Sequence, residues 1–223
     1  MLADFYAARN KLETELGPGE GTANDGDQID ASMAEYLAGY QAYQDGDFTE
    51  AEVRLAKSAS LLEWNILALL NLGNLYFLQG LHDKAEQSFS KALLHAEGDA
   101  RSEILTNLGM CALKMENISE AGECFHQAID LDPGNALALN DMGLVKEMEG
   151  NEGEALEYYK AAIKADLEDD EIWYNLGTLL GKQGNKEGRL YCFMKAEELG
   201  FAGLKELIDD LVDQGIKPVN PLA

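Results

Sequence analysis

Basic side chains are scarce in this chain. Lys and Arg number 17 against 41 Asp and Glu, a formal net charge of −24 over 223 residues. A surface of that sign repels phosphate backbones, so nucleic acid is not an expected partner. It suits instead a protein or peptide segment of basic character. The acid is unevenly placed, with 17 Asp/Glu and 4 Lys between residues 103 and 172. Long apolar runs are lacking too. No stretch reaches about 18 consecutive apolar residues, so no membrane-inserted helix is expected. The opening MLADFYAARNKLETELG has no basic start, apolar core or small-residue cleavage site, so a secretory leader is not expected either. These absences point to a cytoplasmic protein, or one held peripherally on a membrane organelle. Cysteine is sparse: Cys111, Cys124 and Cys192 make an odd number without metal spacing. Buried thiols rather than disulfides are expected. HExxH, CxxC and Gly-rich phosphate loops are missing, and His82, His95 and His126 fall in different phases of the pattern described next. No catalytic residue, no metal site, no cofactor and no enzymatic activity is expected.

What the chain has in plenty is repetition. LALLNLGNLYFLQG at 67–80 returns as LALNDMGLVKEMEG at 137–150 and as EIWYNLGTLLGKQG at 171–184. Aligned on glycine, a 34-residue unit emerges, with units at 32–65, 66–101, 102–135, 136–169 and 170–203; the second is longer by Ala100 and Arg101. The eighth place holds Gly39, Gly73, Gly109, Gly143 and Gly177. The twentieth holds Ala51, Ala85, Ala121, Ala155 and, as the outlier, Arg189. The twenty-fourth is large: Leu55, Phe89, Phe125, Tyr159 and Phe193. The twenty-seventh is small: Ser58, Ala92, Ala128, Ala162 and Ala196. Each half of the unit has apolar spacing of three and four residues, the helical period. Between the halves, at the fifteenth place, stand Gly46, Gly80, Glu116, Gly150 and Gly184. Glycine there ends a helix cheaply in the left-handed conformation; in the third unit Asn117 is expected to take over. The unit is helix, tight turn, helix, with small residues letting the two helices approach.

This pattern resembles the tetratricopeptide repeat (TPR). Pro133, closing the third unit in AIDLDPGN, and Trp173, early in the fifth, stand where that family carries them. The resemblance covers residues 32–203. It implies an all-α, right-handed superhelix of five helix-turn-helix repeats. Residues 204–223 read as a capping helix and tail, with Leu204, Leu207, Ile208, Leu211 and Val212 on one face covering the last repeat. Residues 1–16 read as an amphipathic helix bearing Leu2, Phe5, Tyr6, Leu12 and Leu16, and 17–31 as a flexible acidic linker.

In TPR proteins the first helices line a concave groove that receives a peptide or helix. The sixth place reads Leu37, Asn71, Asn107, Asp141 and Asn175, and Asn74 lies one turn beyond Asn71. Carboxamides donate and accept, so they can pair with a peptide backbone; they can equally tie neighbouring helices together. Around them the groove candidates are Tyr36, Tyr40, Tyr43, Leu70, Phe77 and Leu78 toward the N-terminus. Toward the C-terminus they are Lys114, Asn140, Met148, Tyr174 and Lys182. A two-carboxylate clamp for chaperone tails would need Lys and Arg, but its places hold Tyr36, Tyr40, Leu70, Glu103 and Asn107. That use is not expected. Two readings stay open. One is a scaffold that self-assembles into a homo-oligomer when Leu2, Phe5, Tyr6 and Leu12 fill another copy's groove. Magnetosome-associated TPR scaffolds are similar in length and architecture. The other is a monomeric adaptor or chaperone that holds a foreign extended peptide on Asn71, Asn74, Asn107 and Asn175.

Overall fold

The chain turns at the fifteenth place of every unit, and the backbone there explains why four of five units use glycine. Gly46, Gly80, Gly150 and Gly184 take φ values of +80°, +74°, +80° and +78°. The third unit does the same with Glu116, at φ +64°, and not with Asn117, which stays at φ −86° and opens the next helix. The turn needs its left-handed residue at one fixed step after the helix, so a suitable asparagine one residue later cannot substitute.

The computed structural model describes residues 23–222. Among these residues all regular structure is helical. The helices pair as expected from the sequence: α1 (Ala23–Gln44) with α2 (Phe48–Leu61), α3 (Ile66–Leu78) with α4 (His82–Leu93), α5 (Gly98–Lys114) with α6 (Ile118–Leu131), α7 (Ala136–Met148) with α8 (Glu152–Ala165) and α9 (Asp170–Lys182) with α10 (Lys186–Leu199). Helix α11 (Lys205–Asp213) follows. The chain divides into two compact units, one ending at Glu97 and one beginning at Gly98.

Two boundaries differ from the sequence reading. The stretch 17–31, read as a linker, is already helical from Ala23. Ile29 explains it: three residues before Ser32 and seven before Tyr36, it lies on their face of α1, where it is buried against Leu62, Met33 and Trp64. The third repeat likewise begins at Gly98 rather than Ser102, adding one turn to α5.

Inside each repeat the eighth and twenty-fourth places meet. A Cβ on Gly73 would come within 2.5 Å of the Phe89 ring, one on Gly109 within 2.5 Å of Phe125, and one on Gly143 within 2.7 Å of Tyr159. The missing side chain is what lets each ring lie on the facing helix, and these rings are fully buried. The alanines of the twentieth place are inaccessible as well. Arg189, the outlier, is accommodated by a second glycine: a Cβ on Gly181 would meet Arg189 Cδ at 2.8 Å, and the guanidinium lies 5.0 Å from the centre of the Phe193 ring. Cys111 and Cys192 are buried, and burial pushes the Cys192 thiol up to about 12; Cys124 is half-buried. Helix α11 covers the last repeat with Leu204, Ile208 and Leu211, whereas Leu207 and Val212 stay 43% and 51% exposed. A nine-residue helix buries only a narrow stripe, and those two residues flank it.

Where consecutive repeats join, the structure adds a device that the apolar pattern does not show. In the first unit Asn65 Oδ1 accepts from Ala68 N–H at 3.1 Å, capping α3, while Nδ2 donates to Ser32 Oγ and Ser58 Oγ at 3.1 and 3.0 Å. All three side chains are buried. The second unit repeats it: Asn135 caps α7 through Ala138 and donates to Ser102 Oγ and Thr106 Oγ1, both at 3.0 Å. Each of these amides satisfies a helix end and a buried hydroxyl at once.

Candidate peptide-binding faces

Helices α1 and α3 supply the candidate face of the first unit. Tyr36 and Leu70, read as groove residues, are in the core, 3% and 7% exposed. Their fifth place in the repeat points between helices, and a large side chain there is drawn inward. Burial raises the Tyr36 phenol, as does Tyr40 beside it, while a hydrogen bond with Asn71 acts the other way. Tyr40 stacks on Tyr36 with ring centres 6.1 Å apart. Tyr43 leans on Phe48 at 5.8 Å, and Phe77 meets the edge of His82 at 5.2 Å. What the face offers to solvent is Leu37, 45% exposed, and Leu78, 63% exposed. Asn71 donates to its own helix at Leu67 O, 2.8 Å away. Asn74 is half-buried.

In the second unit α5, α7 and α9 supply the face. Asn107 is half-buried, and Lys114 is exposed at the end of α5. Asn140, another candidate, is buried at 4% exposure; its Oδ1 accepts from Asn175 at 3.0 Å and its Nδ2 donates to Asp141 at 3.2 Å. Asn175 therefore ties α9 to α7. Tyr174 is taken up by packing, stacked 4.3 Å from Phe201 and 5.8 Å from Phe193. Lys182 reaches across to Glu147 at 2.6 Å, and Glu147 also accepts from the Tyr159 hydroxyl at 2.7 Å. Burial, together with hydrogen bonding to Glu147, holds the Tyr159 phenol well above its usual range. Asp141 is the perturbed acid of this face. Burial pushes its carboxyl from 3.8 to about 7, with Glu171 and Asp169 adding to the rise while the Asn140 amide and Lys114 oppose it.

The structure thus draws Tyr36, Leu70 and Asn140 into the core. Tyr40, Tyr43, Asn71, Asn74, Phe77, Asn107, Asp141, Tyr174 and Asn175 are half-buried, and Lys114 and Lys182 exposed. The candidates Leu2, Phe5, Tyr6 and Leu12 lie outside the described residues. Sequence reasoning missed Glu147, which holds Lys182 and Tyr159 together, and the exposed Leu137 and Leu144 of α7. The latter two were legible in principle, since they flank Asp141 at helical spacing. Among the described residues no group of three or more His, Cys, Asp or Glu is placed to hold a metal ion. On the second-helix side each unit carries an open cleft of about 610 Å³. One is edged by Lys84, Lys91 and His95, the other by Glu123, Glu149 and Glu154.

Known proteins share this arrangement. BBSome complex member BBS4 of Bos taurus is 27% identical over 133 residues, 60% of this chain and 25% of that protein. The probable UDP-N-acetylglucosamine–peptide N-acetylglucosaminyltransferase SPINDLY of Petunia hybrida is 46% identical over 65 residues, 29% of this chain and 7% of that protein. The chain spans a quarter or less of the curated relatives it matches first. Among solved structures, a crystal structure of MamA superposes with a TM-score of 0.60 at 25% identity, covering 72% of this chain and 93% of that one. Residues 65–134 match one tetratricopeptide repeat model, and 106–166 and 149–188 match another, together more than half of the chain. With its helix pairs, glycine-to-ring contacts and left-handed turns recurring through the matched residues, the chain belongs to the tetratricopeptide repeat family.

Proposed function

We propose that this chain is a non-enzymatic protein-interaction scaffold whose first-helix faces receive a peptide or helix from a partner protein. The observation that carries the proposal is the company kept by Asn74 and Asn107. Both are half-buried and make no side-chain hydrogen bond among the described residues. Asn74 lies one helical turn from Leu78, which is 63% exposed. An amide free to pair with a peptide unit, beside apolar surface free to be covered, is what an extended or helical segment needs. Asn71 and Asn175 serve the scaffold first, through Leu67 O and Asn140, so the amides available to a ligand are fewer than the sequence suggests. Replacing Asn74 and Asn107 with Ala should weaken a partner recovered with the full chain by about tenfold or more while thermal unfolding stays put. Unchanged affinity would refute peptide pairing by these amides.

Self-assembly is the second part of the proposal. Leu2, Phe5, Tyr6 and Leu12 are spaced for one helical face, and a head-to-tail contact through them would build rings or open arrays. The MamA likeness supports a repeat scaffold of this size; a cytoplasmic location, peripheral on an organelle surface, is part of the same proposal. No described helix is long and apolar enough to cross a membrane. Light scattering behind a sizing column, on the full chain and on a variant lacking residues 1–22, tests this part. A multimer that becomes a monomer on truncation supports it. Two monomers refute it and leave a monomeric adaptor for a foreign peptide.

A further inference from the structure

The fourth repeat departs from the amide pattern at its sixth place. Leu137, Asp141, Leu144 and Met148 are spaced by four, three and four residues, so they form one strip along α7. The three apolar members are 57%, 39% and 48% exposed. Asp141 sits lower, half-buried between them. Its position is set from below: Asn140 donates to Asp141 Oδ1, and Asn140 is itself held by Asn175.

Two lysines of this unit are engaged elsewhere. Lys146 pairs with Glu149 and Glu154, and Lys182 with Glu147. Among the described residues no ion pair reaches Asp141. Lys114 acts on it only at longer range, against Glu171 and Asp169 from the start of α9. A carboxylate left without a counter-ion in an apolar strip is costly. Asparagine would meet the packing need without that cost, and it occupies the same place in α5 as Asn107 and in α9 as Asn175.

We propose that this strip of α7 is a subsite for a partner segment carrying a lysine or arginine flanked by apolar side chains. The cation lies against the Asp141 carboxylate, and the flanking side chains cover Leu137, Leu144 and Met148. Charge complementarity selects this occupant: residues 103–172 hold 17 acids and 4 lysines, a field that draws a basic segment toward the strip before contact. The cation supplies the counter-ion that the fold withholds, through a charge-assisted hydrogen bond in partly desolvated surroundings. The subsite rests on the reading of first-helix faces as peptide-binding.

The test uses the full chain and two pools of short, labelled peptides rich in Leu, Met and Ala, one with a fixed central arginine and one with citrulline, its neutral isostere. At pH 8 the arginine pool should bind about tenfold tighter, and Asp141→Asn should bring the arginine pool down to the citrulline level while unfolding at or above the wild-type temperature. Equal binding of the two pools to the wild-type chain leaves peptide binding standing and overturns the subsite. A preference for arginine that survives Asp141→Asn also overturns it, assigning the effect to the general acidic surface. Binding of neither pool overturns the subsite and the peptide-binding reading together.

Discussion

The first-helix faces of the two units occupy equivalent places in the repeat and carry different chemistry. At the second, sixth, ninth and thirteenth places, α1 and α3 present no charged side chain: the face is Leu, Tyr, Met, Gln and Asn. At the same places α5 and α9 begin with Glu103 and Glu171 and end with Lys114 and Lys182, and α7 between them carries Asp141 in an apolar strip. The scaffold beneath does not follow this difference. Gly73 against Phe89 in one unit and Gly109 against Phe125 in the other come within 2.5 Å by the same measure. Packing is therefore fixed by the eighth, twentieth and twenty-fourth places. The side chains on the opposite side of the same helices are free to vary, because a helix separates the two by its own width.

That comparison can be broken at the scaffold. Phe89→Ala and Phe125→Ala should each cost about 3–5 kcal/mol in urea unfolding, since both rings are buried against glycine and leave a cavity that nothing nearby can fill. A loss confined to one unit would end the claim of a shared interior. The buried amides come next. Asn65→Ala removes a helix cap and the amide donated to the buried Ser32 and Ser58 hydroxyls, which keep only their bonds to each other, a cost of about 2–3 kcal/mol. Asn135→Ala should cost less, about 1–2 kcal/mol, because that site is half-buried and water can replace the amide.

Asp141→Asn sharpens the contrast between the faces. In the folded chain the Asp141 carboxyl is raised from 3.8 to about 7, so the fold holds its proton more tightly than the unfolded chain does. The resulting stability is full below about pH 4 and is lost as pH rises through 7. The variant should match the wild type at pH 4. At pH 8 it should exceed it by an amount on the order of 1–3 kcal/mol, less than the full shift implies because part of the residue meets water. A gain independent of pH would refute the assignment. The smallest effect belongs to the turns. Glu116→Gly should add about 1 kcal/mol by relieving a left-handed conformation, and Gly80→Ala should lose about as much in the first unit. Thermal unfolding of the pair measures both.

The helix pairs were legible because apolar spacing, small residues and turn glycines all report the same local geometry. Helix ends were less so. Ile29 extends α1 into an acidic, glycine-containing stretch only because Leu62 and Trp64 wait beside it, and that contact joins residues distant in the chain. The candidate sites show the same limit. Asn71 and Asn175 look alike in sequence to Asn74 and Asn107, yet Asn71 turns back on Leu67 O one turn up its own helix, and Asn175 is held by Asn140 of another repeat, a partner that no spacing within a helix names.

The sequence by itself determined the repeat, its helical phase and the sign of the surface, because recurrence, apolar spacing within a helix and side-chain charge are all read along the chain. The tertiary structure alone decided which groove candidates are interior, which amides stay available and where Asp141 lies. Those outcomes depend on helices from neighbouring repeats, and burial is set by what a neighbour covers rather than by the residue's own side chain.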